Sequence, residues 1–165
     1  LVSLVIYLNE GMQPKFVELV RQGDNDWGAI RKGQSLCYLI SMVRFGGSLY
    51  FANATYFADR IFELVRSRPK IKYIIVDCIR INKIDASGLQ ALENIVNQLD
   101  EAGIEIWFVR MRQSVKKIIL QSQCPTLHKD SVFFSSHRQA IDKLGEHLGT
   151  KHMSHCPLAV VDSKH

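Results

Sequence analysis

The sequence predicts a single α/β domain, and three observations lead to this prediction. The chain has 165 residues, which is the length of one domain with little left for a second. Its composition, 47% hydrophobic and 22% charged, is typical of a globular protein and excludes disordered and fibrous chains. Short β-prone runs alternate with amphipathic segments, as in the crossover units of a layered α/β fold.

The front of the domain is predicted to be a hairpin followed by a helix. The β-prone apolar run over residues 35–44 indicates a strand. Gly46-Gly47 is typical of the turn to a second strand, which we place over residues 48–51. Asn53 is a favourable helix cap, and apolar residues over 54–65 recur at helical spacing.

Two crossover units are predicted next. Residues 71–79 form an apolar run typical of a central strand, and leucines and valines over 89–99 recur every three or four residues. Gly103 is a favourable end for that helix. Residues 104–109 then predict another strand, and residues 114–125 another helix.

The chain is predicted to end in a helix and an unstructured tail. Ser136 and Gln139 have the spacing of a capping box at the head of a helix that continues to Leu148. A short extended piece over residues 132–134 precedes it, and residues 149–165 lack periodicity. The predicted core residues are Tyr38, Ile40, Ile74, Val76, Leu89, Leu92, Val96, Ile106 and Phe108.

The beginning of the chain has two interpretations. Residues 1–8 are almost wholly apolar but lack the charged region and cleavage site of a signal peptide. They form either an ordinary first strand or the end of a hydrophobic segment that precedes this sequence. Residues 12–33 are polar and rich in turn formers, which predicts an irregular lead-in. No apolar stretch approaches the ~18 residues that cross a bilayer.

The net charge of +5 favours anionic partners. Basic residues are scattered, and the densest cluster either faces an acidic lipid or protein or is simply a solvated helix start. It lacks the interleaved aromatics of a platform for single strands, so nucleic acid is not a predicted partner. The cluster consists of Arg110, Arg112, Lys116 and Lys117.

No cofactor or metal site is predicted. The four cysteines, which include Cys37 and Cys78 within apolar runs, have no Cys-x-x-Cys spacing and are expected to be buried, reduced thiols of a cytosolic protein. The tail offers zinc-type ligands, but their spacing matches no structural zinc pattern. These tail residues are His147, His152, His155 and Cys156.

Catalytic motifs are absent from the sequence, and no catalytic residue is predicted. There is no phosphate-binding Gly-x-x-x-x-Gly-Lys, no Gly-x-Gly-x-x-Gly after a strand and no Gly-x-Ser-x-Gly elbow. The chain is therefore expected not to be an enzyme, although a small soluble enzyme is kept as a third hypothesis.

The candidate functional residues lie in Ile84-Asp85-Ala86-Ser87-Gly88-Leu89, between a buried strand and a helix. Gly88 permits a close backbone approach, and Asp85 and Ser87 lie where a helix begins and its N–H groups lack partners. One interpretation is plain helix capping. The other is a switch, in which a phosphate on Ser87 changes the local charge by about two units. The Ser87–Gly88 turn is expected to be exposed at one end of the sheet.

This segment, after Ile74-Ile75-Val76-Asp77, resembles the conserved loop of the STAS domain family, which includes anti-sigma-factor antagonists. That loop usually reads Asp-Ser-Ser-Gly, and the antagonists are phosphorylated on a serine in it. Ser87 matches the second serine and is a candidate phosphorylation site, whereas Ala86 departs from the pattern. Arg80 and Lys83 are expected to hold an anionic group of a partner at this helix start. The regulatory and partner-binding loop that the resemblance implies consists of Asp85, Ser87, Gly88 and Leu89.

A second segment, Arg44-Phe45-Gly46-Gly47-Ser48-Leu49-Tyr50-Phe51-Ala52-Asn53-Ala54, resembles STAS domains fused to SulP-type (sulfate permease) anion transporters. The resemblance covers about residues 35–148. It implies a mixed central sheet of four to five strands with helices mainly on one face. It also implies a junction after a transmembrane segment over residues 1–33, a STAS-like domain over 34–148 and a flexible tail over 149–165.

The function that the resemblance implies is a non-catalytic regulatory domain on the cytoplasmic face of the cell membrane, within a multi-pass sulfate- or bicarbonate-type anion transporter. Its expected partner is the transmembrane transport domain of the same polypeptide. A soluble protein, a nucleotide near the Ser87 loop and a second copy in a full-length dimer are further candidates. The alternative is a free-standing anti-sigma-factor antagonist regulated by serine phosphorylation.

Overall fold

The centre of the molecule is a six-stranded mixed sheet in the order β2-β1-β3-β4-β5-β6. It is seen in a computed structural model that describes residues 2–3 and 14–159. The strands are β1 (Phe16–Arg21), β2 (Trp27–Ala29), β3 (Ile40–Phe45), β4 (Tyr73–Asp77), β5 (Glu105–Val109) and β6 (Phe133–Phe134). The α/β prediction is confirmed, and the sheet has six strands rather than four or five.

Five α-helices lie within residues 14–159. They are α1 (Phe51–Ser67), α2 (Ala86–Glu101), α3 (Gln113–Ile119), α4 (His137–Leu148) and α5 (Thr150–Met153). Two short 3₁₀ helices, Pro125–His128 and Asp130–Val132, connect α3 to β6. The helices α1 and α2 are the crossover connections between parallel strands, as their position between β3, β4 and β5 requires.

Parallel pairing brings the ends of three strands to one edge of the sheet. β1 pairs antiparallel with both β2 and β3, whereas β3, β4, β5 and β6 are parallel. In this register Arg44 of β3, Asp77 of β4 and Val109 of β5 lie side by side. We call this edge, where β3, β4 and β5 end, the carboxyl edge.

The two faces of the sheet are covered by different helices. Phe57 of α1 packs on Phe45 with 5.0 Å between ring centroids, and Lys116 of α3 lies over the Phe133 ring. Successive side chains of a strand point to opposite faces of the sheet, and Trp107 lies on the other face. There its ring packs on His147 of α4, with 5.7 Å between ring centroids. The helices α1 to α3 therefore occupy one face, and α4 packs on the other.

The predicted hairpin after the first central strand is wrong. Residues 48–50 form no strand of their own; Leu49 makes only an isolated parallel bridge to Ile84. The helix α1 already begins at Phe51, and Asn53 does not cap it but donates from Nδ2 to the Ser48 carbonyl at 2.9 Å. The true antiparallel pairs are β1 with β2 and β1 with β3.

The predictions of an irregular lead-in over residues 12–33 and of a flexible tail over residues 149–165 differ from the structure over the part it describes, residues 14–33 and 149–159. The lead-in contains β1 and β2. The adjacent Leu19 and Val20 of β1 are both buried. The described part of the tail contains α5, and beyond it Cys156 and Leu158 are buried in the core. Tertiary contacts, rather than local periodicity, order both segments.

The core follows the predicted residues with two exceptions. Tyr38 is 58% exposed, because it precedes β3 rather than lying within it, and Leu89 is only half-buried. The other predicted core residues are buried.

The apolar segment at residues 1–8 lies outside the described residues, apart from Val2 and Ser3. Within residues 2–3 and 14–159, no helix combines the length and apolar character that a membrane crossing needs.

Candidate functional site

Asp85 lies between the N-termini of two helices. Its Oδ1 accepts a hydrogen bond from the Gly88 N–H at 2.7 Å, and its Oδ2 accepts one from the Phe51 N–H at 3.2 Å. The first N–H groups of a helix have no partners within that helix. One carboxylate therefore caps α2 and also satisfies a donor at the start of α1.

Gly88 is held against the segment that precedes α1. A Cβ atom added at Gly88 would lie 2.0 Å from the Leu49 carbonyl oxygen, far inside contact distance. The Asp85 N–H donates to the same carbonyl at 3.2 Å. Only a glycine allows this approach of two backbones.

Ser87 is the second residue of α2 and is half-buried. The N-cap of α2 is Asp85, so the capping interpretation applies to Asp85 and not to Ser87. The turn is less exposed than expected, since Gly88 is buried and only Ala86 is fully exposed. Leu89 is half-buried behind it.

A buried carboxylate, Asp77, lies at the carboxyl edge with three cationic or polar partners. Arg110 donates to both of its oxygens, from Nε at 3.0 Å and from Nη2 at 2.6 Å. The Arg44 Nε donates at 2.8 Å, and the His137 Nε2 lies 3.1 Å from Oδ2. Asp77 is 0% exposed.

These contacts set the protonation of Asp77. Burial by itself would raise the pKa of this carboxyl, but hydrogen bonds with His137, Arg110 and Arg44 hold the pKa well below its usual range. The carboxylate is therefore ionised at every physiological pH and ties β3, β4, α4 and the end of β5 together.

A groove of about 480 Å³ opens beside this network. Four arginines line it, and among the described residues one carboxylate, that of Asp77, forms hydrogen bonds with two of these arginines. An excess of positive charge therefore faces the groove, which suits an anionic group. We call it the arginine groove; its lining residues are Arg44, Ile79, Arg80, Asn82, Arg110 and Arg112.

Of the two basic residues that were expected to act together, Arg80 lines the arginine groove and Lys83 does not. The backbone of Lys83 pairs with Ser48 and Leu49. Of the predicted basic cluster, Arg110 and Arg112 line the groove, and Lys116 instead pairs with Asp130 at 3.3 Å.

Exposed apolar side chains lie at the same end of the molecule. Phe51, the first residue of α1, is 77% exposed, and its neighbour Tyr50 is also exposed. Both follow β3 beyond the carboxyl edge, and the Phe51 N–H is bound by Asp85. Ile79 is exposed as well and lines the groove.

Sequence reasoning missed Asp77, Arg44 and Phe51 as site residues. A signal for Asp77 was present, because a carboxylate that ends an apolar β-run must find cationic partners when it is buried. No local pattern indicates that Arg44, 33 residues away, is one of them.

A family model of the STAS domain matches residues 36–140. The chain belongs to the STAS domain family. Low affinity sulfate transporter 3 of Stylosanthes hamata is 24% identical over 157 residues, covering 81% of this chain and 24% of the transporter. The chain spans a quarter or less of the length of the plant sulfate transporters that it matches.

Two solved structures share the fold of this STAS domain. The murine Slc26a9 anion transporter in the inward-facing state superposes with a TM-score of 0.71 at 17% identity, over 87% of this chain and 24% of the transporter. The Bacillus anti-sigma factor antagonist SpoIIAA, in its unphosphorylated form, superposes with a TM-score of 0.53 at 15% identity. That match covers 68% of this chain and 94% of SpoIIAA. The murine anion transporter and SpoIIAA thus share the fold of this STAS domain.

Proposed function

We propose that this STAS domain is a non-catalytic regulatory and interaction domain on the cytoplasmic face of a multi-pass sulfate- or bicarbonate-type anion transporter. Its partner is the transmembrane transport domain of the same polypeptide. The observation that carries the proposal is the composition of the carboxyl edge, where the arginine groove and exposed Tyr50 and Phe51 lie together. The plant sulfate transporter relatives support the choice of transporter class.

The carboxyl edge has the features of a docking surface. Aromatic and arginine side chains are enriched at the centres of protein interfaces, and both are present here. Phe51 is 77% exposed at the head of a helix whose position is set by Asp85, so its ring is presented on a rigid element.

Ser87 gives this surface a means of regulation. Its position in the first turn of α2 favours added negative charge, because the helix dipole is positive there. Asp85 is adjacent and already negative, so a phosphate on Ser87 would also repel it and disturb the contact between α1 and α2.

The first prediction concerns Ser87 in the full-length transporter. Ser87→Ala and Ser87→Asp are both expected to impair transport, while the melting temperature of the isolated domain stays within a few degrees of the wild type. The hydroxyl is not the cap of α2, so its loss removes no capping bond. Anion uptake in vesicles or cells and thermal unfolding of the domain measure the two quantities.

Ser114 offers a matched control, since it is also the second residue of a helix, α3, and is exposed. Ser114→Ala and Ser114→Asp are expected to leave transport unchanged. Full transport activity in both Ser87 variants would show that Ser87 has no regulatory role.

The second prediction concerns the arginine groove. Arg80→Glu combined with Arg112→Glu is expected to reduce transport several-fold in the full-length protein without unfolding the domain, because neither residue is among the partners of Asp77. The matched control is Arg31→Glu with Lys70→Glu. It makes the same charge change at exposed positions outside the groove. Equal transport by the two double variants would exclude the groove as the docking surface.

The alternative, a free-standing antagonist of an anti-sigma factor, makes a different prediction for the same variants. It requires Ser87 to be phosphorylated by a serine kinase and Ser87→Asp to release a soluble partner. Unimpaired transport, combined with phosphorylation of Ser87 and loss of that partner, would favour this alternative.

A further inference from the structure

Three metal-type ligands from opposite ends of the chain meet at the start of β3. They are Cys37, His152 and Cys156, and their ligand atoms all lie within 4.8 Å of one another. Cys37 and Cys156 are buried, and His152 is half-buried. Cys37 precedes β3, whereas His152 belongs to α5 and Cys156 follows it, so only the tertiary fold brings the three together.

The separation of Cys37 and His152 suits a tetrahedral zinc ion. A Zn²⁺ ion with bonds of about 2.3 Å to sulfur and about 2.1 Å to nitrogen holds a sulfur and a nitrogen ligand atom ~3.6 Å apart. The Cys37 Sγ lies 3.5 Å from the His152 Nε2. Two thiols and an imidazole are also the donor set that zinc prefers over hard cations such as magnesium.

Tyr38 packs against one of these ligands, and a cavity beside the cluster leaves room for a fourth ligand. The Tyr38 ring packs edge-on against the His152 imidazole, with 5.4 Å between ring centroids. A cavity of about 520 Å³ borders the cluster, and His155 and Lys151 are among its lining residues. Solvent can therefore reach the cluster from one side.

Zinc binds cysteine as the thiolate, so binding of the ion releases the thiol protons of Cys37 and Cys156.

We propose that Cys37, His152 and Cys156 bind one Zn²⁺ ion, with water from the adjoining cavity as the fourth ligand. The ion ties the C-terminal segment, residues 149–159, to the chain that enters β3. This three-residue site, which we call the clasp, lies at the opposite end of the strands from the Ser87 loop.

The test is metal binding by the purified 165-residue chain, prepared metal-free in a phosphine reductant, with all four thiols verified by mass spectrometry. Titration with Co²⁺ is expected to produce thiolate-to-cobalt charge transfer and the visible absorption of a tetrahedral ion, saturating at one ion per chain. One equivalent of Zn²⁺ should displace the cobalt and raise the melting temperature. Absence of charge transfer with four reduced thiols would overturn the proposal.

Substitutions distinguish metal bound at the clasp from metal bound loosely by histidines of the C-terminal segment. Cys37→Ser, Cys156→Ser and His152→Gln are each expected to abolish stoichiometric binding. The controls Cys124→Ser and His155→Gln should retain the charge-transfer signal, since neither residue is in the cluster. Cobalt binding with charge transfer in Cys37→Ser would show that this cysteine is not a ligand, and the clasp would be wrong.

Discussion

Asp77→Asn is expected to lower the free energy of unfolding by about 3 kcal/mol. The substitution removes the one negative charge that Arg110, Arg44 and His137 share. Arg44 and Arg110 retain partial exposure, which places the cost at the lower end of the range for a broken buried ion pair. Urea denaturation of the isolated domain measures it.

Asp130→Asn is the matched control. Asp130 also pairs with a basic side chain, Lys116, but is 94% exposed, so the same substitution is expected to cost well under about 1 kcal/mol. Comparable losses from both substitutions would mean that burial does not determine the strength of the Asp77 network.

The pH dependence of the Asp77 effect has a definite sign. The pKa of Asp77 is lower in the folded state than its value of about 3.9 in an unfolded chain. Its contribution to stability is therefore fully present above pH ~5 and is lost as pH falls through the folded pKa. The stability difference between wild type and Asp77→Asn should be smaller below pH 4 than at pH 5.

Gly88→Ala is expected to destabilise the domain by about 3 kcal/mol, although alanine is the better helix former. The added methyl group would lie 2.0 Å from the Leu49 carbonyl oxygen, and the obstacle is backbone rather than a side chain that can rotate. The segment before α1 must move, which also disturbs the hydrogen bonds of Asp85 to both helices. Chemical denaturation and circular dichroism measure the loss.

Gly145→Ala provides the same chemical change in a helix with room for it. Gly145 lies in α4, and the nearest atom to an added Cβ is the Met153 Cγ at 3.8 Å, an ordinary contact. This variant is expected to be neutral or to gain up to about 1 kcal/mol. A stable Gly88→Ala variant would show that the loop and the Leu49 segment separate readily in solution.

The elements that could be predicted from the sequence are those whose periodicity is local and long. The helix α2 shows leucines and valines at intervals of three and four, and β4 is a continuous apolar run; both lie where the pattern places them. The strands β1 and β2 lack such a pattern. β2 pairs with β1, and the pairing of β1 with β3 is a long-range contact, while the turn formers between β1 and β2 indicated a linker.

At the candidate site too, local features could be predicted from the sequence and long-range contacts could not. The loop from Asp85 to Leu89 was found in the sequence because an acidic residue, a hydroxyl and a glycine are adjacent there. The second role of Asp85, at the start of α1, depends on Phe51, 34 positions away. Nothing in the local sequence indicates that contact.

The sequence by itself determined the α/β class, the central strands and the position of the loop at a strand-to-helix junction, because each depends on neighbours within about one turn or one strand. Only the tertiary structure decided that Asp77 collects two arginines and a histidine, that Arg80 and Arg112 share one groove, and that Cys37 meets His152 and Cys156. The parallel crossovers place residues that are distant in sequence together at the carboxyl edge. The burial of the C-terminal segment brings Cys156 close to Cys37 at the opposite end of the strands. Charge pairing and metal-ligand geometry depend on distances in space, which residue spacing along the chain does not encode.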